Sequence, residues 1–134
     1  MNGYVADTHA LIWHEESSPR LSAAARACFD AADRGLARIY VPSISVVEMI
    51  YLAEKGKIPS HMAAVTLRLA GNPPASYELA SLDRSVVEQV DRVSRSLVPD
   101  MPDRIIVATA LALRLPLITV DDVITRSGLV SIIW

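Results

Sequence analysis

The stretch from Arg104 to Leu115 constrains this chain more than any other, because nearly every position in it is apolar, interrupted chiefly by Thr109 and Arg114. A helix that is apolar around most of its circumference has to be enclosed on several sides, so this segment is the predicted centre of the core. It runs into Leu117-Ile118-Thr119-Val120, a short run of the kind that forms a strand buried on both faces. A helix and a strand that both need such cover point to helices packed against a parallel sheet.

The rest of the chain repeats that alternation. Tyr4-Val5-Ala6 reads as a strand that stops at Asp7 and becomes a helical pattern through Leu11, Ile12 and Trp13. After the Ser17-Ser18-Pro19-Arg20 turn, Ser22 caps a helix from Ala23 to Asp33, which Gly35 ends. Arg38-Ile39-Tyr40-Val41 is a strand halted by Pro42, and Ser43 opens a helix that Gly56 closes. Pro59 and Ser60 start a further helix to about Leu69, before Gly71-Asn72-Pro73-Pro74 breaks the chain. Tyr77 to Leu82 is a strand, and Asp83 caps an amphipathic helix with Val86, Val87, Val90 and Val93 on its inner side. Pro99 and Pro102 bracket an acidic turn, Asp121 to Arg126 form a short helical turn, and Val130 to Trp134 the final strand. The expectation is a single α/β domain over 1–134 with a parallel, right-handed sheet.

Half of the 134 residues are apolar (51%), enough for a core and outside the disordered range. A net charge of -2 carries little information by itself, although a protein that simply coats nucleic acid is expected to be basic, so any polyanion has to be met by local patches. Arginine outnumbers lysine heavily, and guanidinium pairs phosphate in a fork that ammonium cannot reproduce. Cys28 is alone, which excludes an internal disulfide and a thiolate zinc cluster. No apolar stretch reaches membrane-spanning length and no basic, apolar leader precedes Asp7, so a cytoplasmic location is expected.

Asp7 and Asp121 follow interior strands, and Asp103 stands just before the buried helix, whose amino terminus the same fold brings to the same sheet edge. Each also reads as an ordinary helix cap. Glu48 has Ile44, Ser45, Tyr51 and Leu52 as its helical neighbours, mostly apolar company in which a carboxylate needs a partner: Lys55, Arg38 or a cation. Carboxylates crowded into one pocket repel one another unless cations sit among them, and all-oxygen ligation without His or Cys points to magnesium or manganese. One or two such ions suit phosphodiester hydrolysis, with arginines at the rim holding the flanking phosphates.

Four blocks carry a resemblance: DTHALIW at 7–13, SISVVEM at 43–49, PDRIIVATAL at 102–111 and LITVDD at 117–122. In that order they resemble the PIN domain, specifically the VapC-like toxins of prokaryotic toxin-antitoxin pairs. The resemblance implies a three-layer α/β/α fold around a central parallel sheet and a Mg2+- or Mn2+-dependent endoribonuclease. It maps the metal-binding and catalytic acids onto Asp7, Glu48, Asp103 and Asp121, and makes Thr8, Ser45 and Thr119 supporting hydrogen bonders. Its Thr-x-Asp spacing favours Asp121 over Asp122, and its Asp-Arg step selects Asp103 over Asp100. The implied partners are structured RNA such as transfer or ribosomal RNA, a cognate antitoxin that inserts a segment into the site, and a second copy of the chain. His9, His14 and His61 lack the spacing of a histidine metal pair and are read as non-ligands.

Two other readings compete. A non-catalytic PIN-like binding domain would keep the fold without needing all four acids. A receiver-type phosphoacceptor domain would need adjacent acids after the first strand and a late lysine, whereas Asp7 stands alone and Lys55 and Lys57 lie mid-chain. The apolar surplus at Met49, Tyr51, Met62 and Leu67 is expected to meet, in part, another subunit or an antitoxin helix.

Overall fold

The computed structural model describes residues 1–71 and 75–134, so the expected break at Asn72, Pro73 and Pro74 lies outside the described residues. Five strands, β1 (Asn2–Ala6), β2 (Ala37–Pro42), β3 (Tyr77–Ala80), β4 (Leu117–Ile118) and β5 (Ile132–Ile133), make one sheet in the order β3-β2-β1-β4-β5. Every pairing in it is parallel. Seven helices accompany it among the described residues: α1 (Thr8–Glu15), α2 (Ala23–Asp33), α3 (Ser43–Glu54), α4 (Met62–Leu69), α5 (Arg84–Arg92), α6 (Met101–Leu113) and α7 (Asp122–Ser127).

The layering follows from strand alternation. Successive residues of a strand point to opposite faces, and β1 and β4 each divide their residues between two cores. Ala6 and Ile118 face the first, with Leu11, Phe29, Met49 and Met62 from α1 to α4. Val5 and Leu117 face the second, with Val86, Ile106, Val107 and Ile124 from α5 to α7. Helices therefore cover both faces, giving the three-layer α/β/α arrangement. The α6 segment is the buried helix the sequence calls for, with Ile106, Val107, Ala108 and Ala110 each no more than 1% exposed.

Several local expectations are corrected. α6 begins at Met101 because Asp100 caps it, its side chain accepting from the Asp103 amide at 3.0 Å, and Pro102 is tolerated in a first turn. Asp103 thus belongs to the helix's first turn instead of preceding it. The α4 helix starts at Met62, after a turn in which the Met62 amide donates to the Pro59 carbonyl. Val87 is exposed: Val86, Val90 and Val93 share one side of α5 at helical spacing, and Val87 falls off it. Met49 and Met62 are core residues, whereas Tyr51 and Leu67 remain on the surface.

Arg104 has a structural job. Its guanidinium donates to the Val90 and Val93 carbonyls at 3.0 and 2.8 Å, satisfying the carboxyl end of α5 and tying it to α6. On the other face, fully buried Phe29 stacks on His14 with ring centroids 4.3 Å apart. Phe29→Ala is expected to cost about 3–5 kcal/mol of stability, read as a lower midpoint in urea unfolding.

Candidate active site

The strand order fixes where a ligand can sit. From β1 the chain builds outward through β2 and β3 on one side and β4 and β5 on the other, so the connections leaving β1 and β4 diverge and open a crevice at their carboxyl ends. Ala6 pairs with Ile118 in the last register of that pair, and the Asp7 amide donates to the Ile118 carbonyl at 3.1 Å. The two strands therefore deliver Asp7 and the Thr119–Asp121 segment side by side.

Short-range hydrogen bonds then aim the acids. Asp7 Oδ1 accepts from the Ala10 amide at 2.9 Å and caps α1, while Oδ2 accepts from the Thr119 hydroxyl. Thr119 Oγ1 in turn accepts from the Asp121 amide at 3.0 Å, so one buried threonine connects both acid-bearing loops. Asp121 Oδ1 caps α7 by accepting from the Ile124 amide at 2.8 Å. Thr8, the first residue of α1, donates through its hydroxyl to Glu48 Oε1 on α3 at 2.5 Å. Glu48 is thus partnered by a threonine; Arg38 instead pairs with Glu78 at 3.1 Å.

Asp7, Glu48, Asp103 and Asp121, drawn from four separate blocks of sequence, line one cavity of about 420 Å³, and Asp100 joins them. Thr8, His9, Trp13, Ile106 and Val120 complete its wall. Asp100 is the acid that sequence reasoning passed over; its place as the cap of α6, three residues before Asp103, was the available signal. Asp122, by contrast, points to Arg126 at 2.9 Å on the exposed side of α7. Ser45 does not take the supporting role expected of it, since its Oγ is buried with no hydrogen-bond partner among the described residues. No arginine is among the described residues lining the cavity, while Arg20 lies beside the Trp13 ring at the cavity's edge.

Crowding marks the electrostatics. Burial first, and then the charges of Asp100, Asp121, Glu48 and Asp7, push the Asp103 carboxyl up to about 7. Burial raises the Asp7 carboxyl against the opposing hydrogen bonds from Thr119 and the Ala10 amide. Glu48 is raised by burial, with Asp100 and Asp7 adding to it against the Thr8 hydrogen bond. As the side chains stand, no three His, Cys, Asp or Glu groups among the described residues are arranged to hold one ion. The donors are nonetheless all oxygen, the set that hard divalent cations take. Mutual repulsion of this size is what a cation would relieve.

Comparison with known proteins places this geometry. A family model described as the PIN domain matches residues 4–128. No curated protein matches the chain. Among solved structures, DNA-bound VapBC from Salmonella typhimurium is similar at a TM-score of 0.70 and 20% identity, over 98% of this chain and 97% of that one. VapBC2 from Rickettsia felis, bound to a DNA fragment from their promoter, gives 0.69 at 14% identity over 97% and 96%. A toxin-antitoxin complex from Klebsiella pneumoniae gives 0.58 at 21% identity over 88% and 86%. These likenesses are ones of fold, while the family match runs through all four acid-bearing blocks and leaves no place for a receiver-type domain: the chain belongs to the PIN domain family.

Proposed function

We propose that this protein is a Mg2+- or Mn2+-dependent endoribonuclease and the toxin of a toxin-antitoxin pair. The observation that carries the reading is the convergence of five carboxylates on one cavity at the sheet's switch point, with no lysine or arginine among the residues lining it. Asp7, Glu48, Asp103 and Asp121 are the groups that would hold the ion, and Asp100 stands beside them. A bound divalent ion supplies positive charge that makes an attacking water more acidic and offsets charge building on the phosphate oxygens.

The protein's own part is positioning. Thr119 holds Asp7 from the β4 side and the Ala10 amide holds it from α1, so its carboxylate is fixed before substrate arrives. Thr8 does the same for Glu48. Such preorganised carboxylates cost nothing to arrange at the moment of reaction. The cognate antitoxin and a second copy of the chain are the partners this reading carries, and the exposed Val47, Ile50 and Tyr51 of α3 with Leu67 and Leu69 of α4 offer apolar surface for them. No helix among the described residues is long and apolar enough to cross a membrane.

The test is direct. Purified protein, freed of any bound antitoxin, is incubated with bulk transfer and ribosomal RNA, and fragments are resolved by gel. Cleavage is expected with magnesium or manganese and is lost in EDTA; cleavage that survives EDTA, or none with either ion, would count against the reading and, in the second case, favour a PIN domain that only binds.

A further inference from the structure

Five carboxylates make the cavity repel a phosphodiester, and no lysine or arginine belongs to its wall to offset them. Part of the grip on a nucleotide has to come from uncharged faces. Trp13 and His9 supply them. Both line the cavity, they lie four residues apart on α1 and so share a side of it, and their rings stand 5.7 Å apart with planes tilted 53°, so the indole offers the flat face and the imidazole stands at its edge. Trp134 packs against Trp13 at 5.7 Å with the planes tilted 58°, which fixes the indole's orientation. The Arg20 guanidinium lies 5.9 Å from the Trp13 ring centroid, close enough for a cation–π contact, and both Arg20 and His9 are exposed.

The platform's location follows from helix geometry. Asp7 caps the helix that carries both rings, and six residues of helix put Trp13 roughly 9 Å along the axis from that carboxylate. An aromatic wall with a cation over it, next to a pocket that repels phosphate, is the combination that stacks a base and pairs its phosphate on single-stranded nucleic acid.

We propose that the Trp13 indole, with His9 at its edge and Arg20 beside its ring, forms a stacking platform for the base of an unpaired nucleotide beside the one held at the acids. The proposal rests on reading the cavity as a phosphodiester site, and it assigns the residues of this chain that would grip an unpaired base there. A base inside a duplex presents no free face to the indole.

Trp13 also packs on the core, so the decisive test alters the RNA as well as the protein. With Trp134→Phe, Trp13 is the chain's sole tryptophan. A short single-stranded oligoribonucleotide is titrated into this protein in EDTA at low salt, and Trp13 emission is followed. Saturable quenching is expected, with affinity falling about 5- to 150-fold when the bases are replaced by abasic sites, and falling likewise on annealing to a duplex. Arg20→Ala and His9→Ala, both at exposed positions, weaken it, and Trp13→Phe keeps the affinity measured by anisotropy of a labelled oligonucleotide. Unchanged Trp13 emission on binding, equal affinity for the abasic strand, or no binding at all overturns the platform. The two readings fail separately: manganese-dependent cleavage without base-dependent quenching removes the platform alone, whereas base-dependent quenching by a protein that cuts no RNA removes the nuclease alone.

Discussion

Asp7→Asn is expected to lower metal-dependent RNA cleavage by about a thousandfold or more in kcat/KM, with the far-UV circular dichroism spectrum unchanged. Asparagine has nearly the same shape, and its side-chain oxygen can still accept from the Ala10 amide that Asp7 Oδ1 now satisfies, so the cap of α1 survives. What disappears is a negative charge at the junction of β1 and α1, where Thr119 from the β4 side and the first turn of α1 meet. Thr119→Val probes the same point from outside: it leaves the charge and removes the hydroxyl that links Asp7 Oδ2 to the Asp121 amide. A smaller loss, about 10- to 100-fold, is expected there, because the acid remains and only its support is gone. If Asp7→Asn cut RNA like the unaltered protein, the cavity would not be the reacting centre.

The second large effect is on stability. The Asp103 carboxyl, pushed up to about 7 by burial and by its acidic neighbours, holds its proton more tightly in the folded chain than in the unfolded one. Below about pH 4 both states are protonated and nothing is lost. As pH rises from about 4 to 7 the unfolded state releases the proton first, so the folded state loses stability, and above 7 it carries the full repulsion. Asp103 is half-buried, so solvent screening reduces the effect to about 1–2 kcal/mol. Metal-free protein should therefore melt a few degrees lower at pH 8 than at pH 5, read by scanning calorimetry. Asp103→Asn should reduce that difference, Asp7 and Glu48 supplying the rest because burial raises them in the same direction, while abolishing cleavage, a gain in stability paired with a loss of function. Manganese should remove it in the unaltered protein, raising the melting temperature most at pH 8. A melting temperature indifferent to pH and to manganese would contradict this.

The same side chains show what a sequence reveals and what it conceals. Asp7 and Asp121 pose a choice between capping a helix and serving a site; in the fold each caps a helix with one oxygen and also stands on the cavity wall. That double use is local, so strand, acid and helix pattern were enough to find them. Glu48 was found by the mismatch between its charge and its neighbours, but its partner, Thr8, lies 40 residues away and no local pattern names it. The start of α6 was misplaced because Pro102 reads as a break, although a proline without an amide proton is welcome in a first turn. The Asp-Arg step sets Asp100 aside in favour of Asp103, but with the helix begun at Met101 Asp100 both caps α6 and lines the cavity. Sequence assigns no role to Arg104 at the head of the apolar stretch, because the carbonyls that claim it, at the end of α5, are brought to it only by the packing of α5 on α6. Strand order was the least accessible feature, since placing β4 beside β1 depends on pairings more than a hundred residues apart.

One measurement bears most directly on the convergence of the acids. Crystals grown or soaked with manganese, with diffraction collected at the metal's absorption edge, should place an anomalous peak inside the cavity within ligand distance of Asp7 and at least two of Glu48, Asp103 and Asp121. A saturating soak that leaves no peak there, with those carboxylates still held by Thr119, Thr8 and the helix amides, would contradict the account.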